Sequence, residues 1–187
     1  MYRALTWKVI GCGISTSDEG SIMRLTRKIK WEFKRDSGPA IRTFVNGVLV
    51  GRQILDEKVG RNSSLVAGLP SVRKFMRKIQ RSLGSGGGIV MEGRDIGTNV
   101  FPNADLKIYL KASARERALR RLHQLRNQGF KADYNAILKS IRKRDSQDAR
   151  RRINPLRKAR DSVVIDTTKL TLREVASRIL ELIKSKN

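Results

Sequence analysis

The sequence predicts an α/β protein built on a parallel sheet, with a smaller α+β lobe inserted into it. Three observations carry that reading. The second half alternates short apolar runs with helical stretches, the order a parallel sheet requires. The first half carries Asn46-Gly47 between two apolar segments, a strong hairpin signal. Between the halves stands Gly84-Ser85-Gly86-Gly87-Gly88, read as the connection that returns the chain from the lobe to the frame.

The elements follow in order. Met1 to Ser17 holds Arg3, Lys8, no acid and many apolar residues, which imitates a transit peptide. It lacks a charged start followed by an apolar core and a small-residue cleavage site, so it reads as a helix that opens with nothing ahead of it to cap it. Ile29 to Phe33 and Ile41 to Val50 read as strands, the latter folded at Asn46-Gly47, and Ser71 to Leu83 as a helix. Ile89-Val90-Met91 reads as a buried strand that turns polar at Glu92-Gly93-Arg94-Asp95. Leu106 to Leu110 is a second strand, and Ser113 to Glu116 a capping box that opens a helix running to Gly129. A further helix covers about Tyr134 to Arg150, and Val163 to Ile165 form the third strand of the frame. Thr171 to Glu174 repeats the capping box, ahead of a helix with Leu172, Val175, Ala176, Ile179, Leu182 and Ile183 on one face.

The 187 residues suffice for one domain with a core: residues 1–187 as a single domain, 14–83 as the inserted lobe and 142–158 as a lid. At 39% hydrophobic residues, no run is long enough to cross a bilayer, and a cytoplasmic protein without a membrane partner is expected. One cysteine, Cys12, excludes an internal disulfide, and one histidine, His123, leaves no second imidazole for a zinc cluster, so no metal ligands are assigned. Ser–His–Asp catalysis through His123 is formally open, but the residue lies among arginines and reads as a solvated surface group.

Charge is the loudest global signal: 41 Lys and Arg against 17 Asp and Glu, a formal +24. Such a surface attracts polyanions. The basic residues are spread along the whole chain and aromatic residues are only 5%, so stacking platforms for RNA are scarce. The charge indicates phosphate without saying whose.

Two stretches could carry chemistry. Gly93 to Thr98 sits where ligands bind in open α/β sheets, and the Arg94 fork matches a phosphate bidentately. The same stretch also fits a Gly-bracketed turn with a surface Arg–Asp pair. In the run 142–152, Arg144, Asp148 and Arg151 are spaced by four and three residues and share a helical face. Two arginines held by a carboxylate make a phosphate clamp, and Asn154-Pro155 breaks the helix beside it. A solvated charged helix is the alternative, although a solubilising face has no need of guanidinium. Arg3, Arg73 and Ser64 say little alone.

Together the pieces resemble bacterial cytidylate kinases. The resemblance rests on Met1 to Trp7, Ser64-x-Val66-Ala67, Pro70-x-Val72-Arg73, Glu92 to Thr98 with Val100-Phe101-Pro102, and Ala112-Ser113-x-x-Glu116-Arg117-Ala118-x-Arg120-Arg121. Arg144-Asp145-x-x-Asp148, Pro155-Leu156 and Val164 to Thr167 complete it, colinear over essentially the whole chain. It implies a P-loop nucleoside monophosphate kinase fold whose inserted lobe, 14–83, binds the acceptor. The activity implied is transfer of the γ-phosphate of ATP, with Mg²⁺, to CMP or dCMP by a monomer.

By matching position, Arg3 and Arg94 would hold the acceptor phosphate. Ser64, Arg73 and Asp95 would read cytosine, with Glu92 supporting Arg73. Arg144, Asp148 and Arg151 would form the lid-side clamp, making Arg94, Arg144 and Arg151 the candidate catalytic residues. There are departures. No glycine is followed by lysine, so the phosphate-binding G-x-x-x-x-G-K loop and its strand are missing, and Leu55 stands where relatives often carry arginine. A misplaced start and a truncated gene both explain this, and the chain as written is expected to bind CMP but phosphorylate it poorly. A basic RNA- or ribosome-associated protein on a kinase-like fold is the alternative, with nucleic acid not expected as a partner on the first reading.

Overall fold

The computed structural model describes residues 1–35 and 41–186. Residues 36–40, part of the expected lobe, and residue 187 lie outside them. The chain forms two compact units, Met1–Gly88 and Ile89–Asn187.

The first unit opens with α1 (Tyr2–Gly11), which buries Ala4, Leu5, Thr6 and Val9. Two helices that the sequence reading passed over follow the same capping logic. In α2 (Glu19–Lys28) the Asp18 carboxylate accepts from the Ser21 N–H at 2.9 Å. In α3 (Glu57–Val66) the Asp56 carboxylate accepts from the Lys58 N–H at 2.6 Å. The short strands β1 (Trp31–Arg35), β2 (Ile41–Val45) and β3 (Val48–Leu49) form an antiparallel sheet, Trp31 opposite Val45 and Phe44 opposite Leu49. Asn46 and Gly47 turn the β2–β3 hairpin at φ 52° and 77°. Positive φ at both centres matches the twist of the flanking strands, which is why Asn-Gly serves here. A 3₁₀ turn (Arg52–Leu55) leads into α3, and α4 (Pro70–Leu83) starts with proline in its first turn. Leu5, Val9, Ile22, Val45, Val66, Val72 and Met76 close the core of this unit.

The second unit contains β4 (Ile108–Lys111), α5 (Ala114–Asn127), α6 (Tyr134–Arg150), β5 (Val163–Asp166) and α7 (Leu172–Lys184). β4 and β5 are parallel, with Ile108 opposite Val163 and Lys111 opposite Asp166. Helices α5 and α6 pack through Ala118, Leu122, Leu125 and Ile137. Lys107, just ahead of β4, is buried and donates through Nζ to the Pro102 carbonyl and to Asp161 at 2.6 Å, tying together the two segments that enter the strands. That hydrogen bond from Lys107 leads the causes that hold the Asp161 carboxyl below the usual carboxylate range.

One expectation is corrected. Ile89-Val90-Met91 is not a strand, and Val90 is 97% exposed. A strand exists only through a hydrogen-bonded neighbour, and among the described residues β4 and β5 pair with each other alone. Of the apolar face on α7, Val175 is buried while Leu172 is 87% exposed and Ile183 is also open. The amphipathic pattern made the helix, but the described residues do not cover its face. Among them, no helix is long and apolar enough to cross a membrane.

Candidate functional site

Site residues occur in both units, and each set is described within its own unit. In the second unit a short π-type turn (Ile96–Val100) follows Arg94 and Asp95. A Cβ on Gly93 would stand 2.8 Å from Ile96 Cγ1, so the tightness of this turn requires glycine. Asp95 is buried and accepts from the Asn99 amide at 3.1 Å, while Glu92 is exposed.

The turn delivers Arg94 to the carboxyl-terminal part of α6. Its Nε lies 3.3 Å from Asp148 Oδ2, and its Nη1 lies 3.6 Å from Asp145 Oδ1. Asp148 is 3% exposed and also meets Arg144 Nε at 3.7 Å and Arg151 Nη2 at 2.7 Å. The expected trio is therefore assembled, with Arg144 and Asp148 on α6 but Arg151 at its C-cap, just past the last helical residue, and Arg94 joins it from another part of the unit. A buried carboxylate is costly unless cations surround it, and three guanidinium groups do so here. The carboxylate in turn holds those groups together against their mutual repulsion. After Arg150 the helix stops, Asn154 takes φ 49°, and the Leu156 N–H returns to the Asp148 carbonyl at 2.8 Å. The break at Asn154-Pro155 is thus fastened to the helix that carries the clamp.

One member of this cluster escaped the sequence reading. Arg117, on α5, donates through Nη2 to Asp145 Oδ2 at 2.6 Å and through Nε to the Ala112 carbonyl at 3.1 Å. Nothing in the spacing of Arg117 and Asp145 announces a contact across 28 positions. Their helices meet only in the folded unit.

In the first unit, Arg3 donates through Nη1 to the Ile54 carbonyl at 2.8 Å. Gly60 on α3 makes room for it: a Cβ there would lie 3.1 Å from Arg3 Nη2. Arg73 is 4% exposed, donates to the Ala67 carbonyl at 2.8 Å, and stands over the Tyr2 ring at 5.6 Å. Ser64 has a buried Oγ with no hydrogen-bond partner among the described residues. A buried hydroxyl without a partner is an exception that calls for a reason, and a ligand is one such reason.

An α/β protein that gathers three arginines around one buried carboxylate, and orients two further arginines by main-chain carbonyls, belongs with proteins that handle phosphate. The comparisons narrow that class. The family model described as cytidylate kinase matches residues 1–185. A cytidylate kinase of Geobacillus thermodenitrificans is 46% identical over 186 residues, covering 100% of this chain and 83% of that protein. Those of Ligilactobacillus salivarius and Bacillus subtilis are 41% and 40% identical over 187 residues, again covering 100% of this chain and 83% of each. The chain belongs to the cytidylate kinase family, whose fold is that of the P-loop nucleoside monophosphate kinases.

Proposed function

We propose that this chain acts as a cytidylate kinase, passing the γ-phosphate of ATP to CMP or dCMP to give CDP or dCDP. The observation that carries the reading is the Asp148-centred cluster, where Arg94, Arg144 and Arg151 are held together by one buried carboxylate. In this reaction an oxygen of the acceptor phosphate forms a bond to the γ-phosphorus while the bond to the β,γ-bridging oxygen breaks and ADP leaves. The attacking oxygen is already ionised, so no general base is required. Positioning and charge neutralisation carry most of the acceleration.

In this assignment Arg94 holds the acceptor phosphate, and Arg144 and Arg151, set by Asp148, touch sugar and phosphates from the lid, residues 142–158. Residues 14–83 form the acceptor lobe, in which Ser64 and Arg73 read the cytosine. The unpartnered Ser64 Oγ favours a ligand contact there. Among the described residues no three His, Cys, Asp or Glu side chains gather as metal ligands. Mg²⁺ enters here with its ATP substrate, bound chiefly by the phosphates. No G-x-x-x-x-G-K stretch occurs in the 187 residues, so the cradle for the ATP phosphates is assigned to none of them.

Titration calorimetry with CMP, dCMP, UMP and cytidine tests the acceptor half of this reading without requiring turnover. CMP and dCMP should bind, and cytidine should bind at least about tenfold more weakly, because it lacks the charged group the arginines address. No binding of CMP, together with salt-sensitive binding of RNA, would overturn the proposal.

A further inference from the structure

We propose that Arg117 is a positioning residue for the acceptor phosphate: it engages Asp145 and so prevents that carboxylate from closing on Arg94. The inference rests on the cytidylate kinase reading above, in which Arg94 meets the phosphate. Asp145 stands between two guanidinium groups and treats them unequally. Its Oδ2 is 2.6 Å from Arg117 Nη2, whereas its Oδ1 is 3.6 Å from Arg94 Nη1. Arg117 is itself fixed, because its Nε donates to the Ala112 carbonyl just beyond β4. The short contact therefore belongs to the arginine that is anchored, and the long one to the arginine that is to bind ligand.

Charge gives this geometry its consequence. Over these six groups alone, four guanidinium groups (Arg94, Arg117, Arg144 and Arg151) face two carboxylates (Asp145 and Asp148), an excess of two positive charges. A phosphate monoester near neutral pH carries about 1.5 to 2 negative charges, so the cluster matches it. Without Arg117 the excess falls to one, and Asp145 is free to pair bidentately with Arg94 and compete directly with the ligand. With Asp145 also neutral, the excess of two returns and the competitor is gone. The two partners of one ion pair should then affect phosphate binding in opposite directions, which a pair of purely structural importance cannot do.

The test measures CMP and cytidine affinities by calorimetry for the wild-type chain, Arg117→Gln, Asp145→Asn and the double variant, with thermal unfolding of each. Arg117→Gln should weaken CMP by at least about fivefold and leave cytidine unchanged. Asp145→Asn should bind CMP as tightly as wild type or more tightly, and the double variant should return to within about twofold of wild type. A loss of CMP affinity in Asp145→Asn, which remains informative even where Arg117→Gln does not fold, would overturn the inference. So would unchanged CMP binding in Arg117→Gln, or a double variant as weak as the single one. A wild-type chain that does not prefer CMP to cytidine would instead remove the functional reading beneath it.

Discussion

Arg94 and Arg115 carry the same charge in the same unit, and only one of them should matter to the ligand. Arg94 is half-buried and spans Asp145 and Asp148, so its orientation is set in advance. Arg115 lies in the first turn of α5, exposed, with no partner among the described residues. Arg94→Ala should weaken CMP binding by roughly 1–3 kcal/mol, the range for hydrogen bonds to charged groups, reduced at its low end for solvent screening. Arg115→Ala should stay within about 0.5 kcal/mol, as benign surface substitutions do. Calorimetry on both variants decides it, and equal small losses would return Arg94 to the status of a turn residue. At this scale the helical trio was legible, because i, i+3 and i, i+4 spacing is periodic in sequence. The arrival of Arg94 at Asp148, 54 positions away, was not, nor was Arg117. Contacts between elements leave no period to read.

Among the elements, the two capping boxes show how one pattern gives two outcomes. Ser113 Oγ accepts from the Glu116 N–H at 3.1 Å, but the Glu116 carboxylate turns to Arg120, one helical turn on, at 2.8 Å. In α7 the box closes, with Glu174 accepting from the Thr171 N–H at 2.7 Å and Thr171 Oγ1 accepting from the Glu174 N–H at 3.2 Å. Both glutamates have an arginine four residues on, Arg120 and Arg178, so the local pattern does not separate the two outcomes; Arg120 is also anchored by the Thr167 carbonyl at 2.5 Å, a contact no local pattern announces. The hydrogen bond from the Thr171 N–H holds the Glu174 carboxyl below its ordinary range. A depressed carboxyl stabilises the fold above its unfolded pKa, near 4.3 for Glu, and the contribution fades as pH falls through the folded value. The melting temperatures of wild type and Glu174→Gln should therefore differ at neutral pH and converge below about pH 4. Thr171→Ala, which removes the acceptor of the N3 amide, should cost about 1 kcal/mol at neutral pH. A Glu174→Gln gap that stays constant with pH would show that the closed box contributes nothing through its charge.

For the molecule as a whole, alternation of elements and the Asn46-Gly47 turn predicted the α/β class and the hairpin correctly, because both follow from local chain preference. Helices α5, α6 and α7 fell close to their expected bounds for the same reason. Ile89-Val90-Met91 did not become a strand, since strand formation depends on a neighbour and no window of sequence states who the neighbour is. The same run, with Leu110, Val163, Val164, Leu180 and Ile183, leaves large apolar side chains in water across the second unit. In a cell such surface is what chaperones and energy-dependent proteases recognise. Val90→Thr with Leu172→Gln should lengthen its half-life in a pulse-chase experiment while leaving CMP affinity unchanged. An unaltered half-life would mean that these side chains are not the surface by which the cell disposes of it.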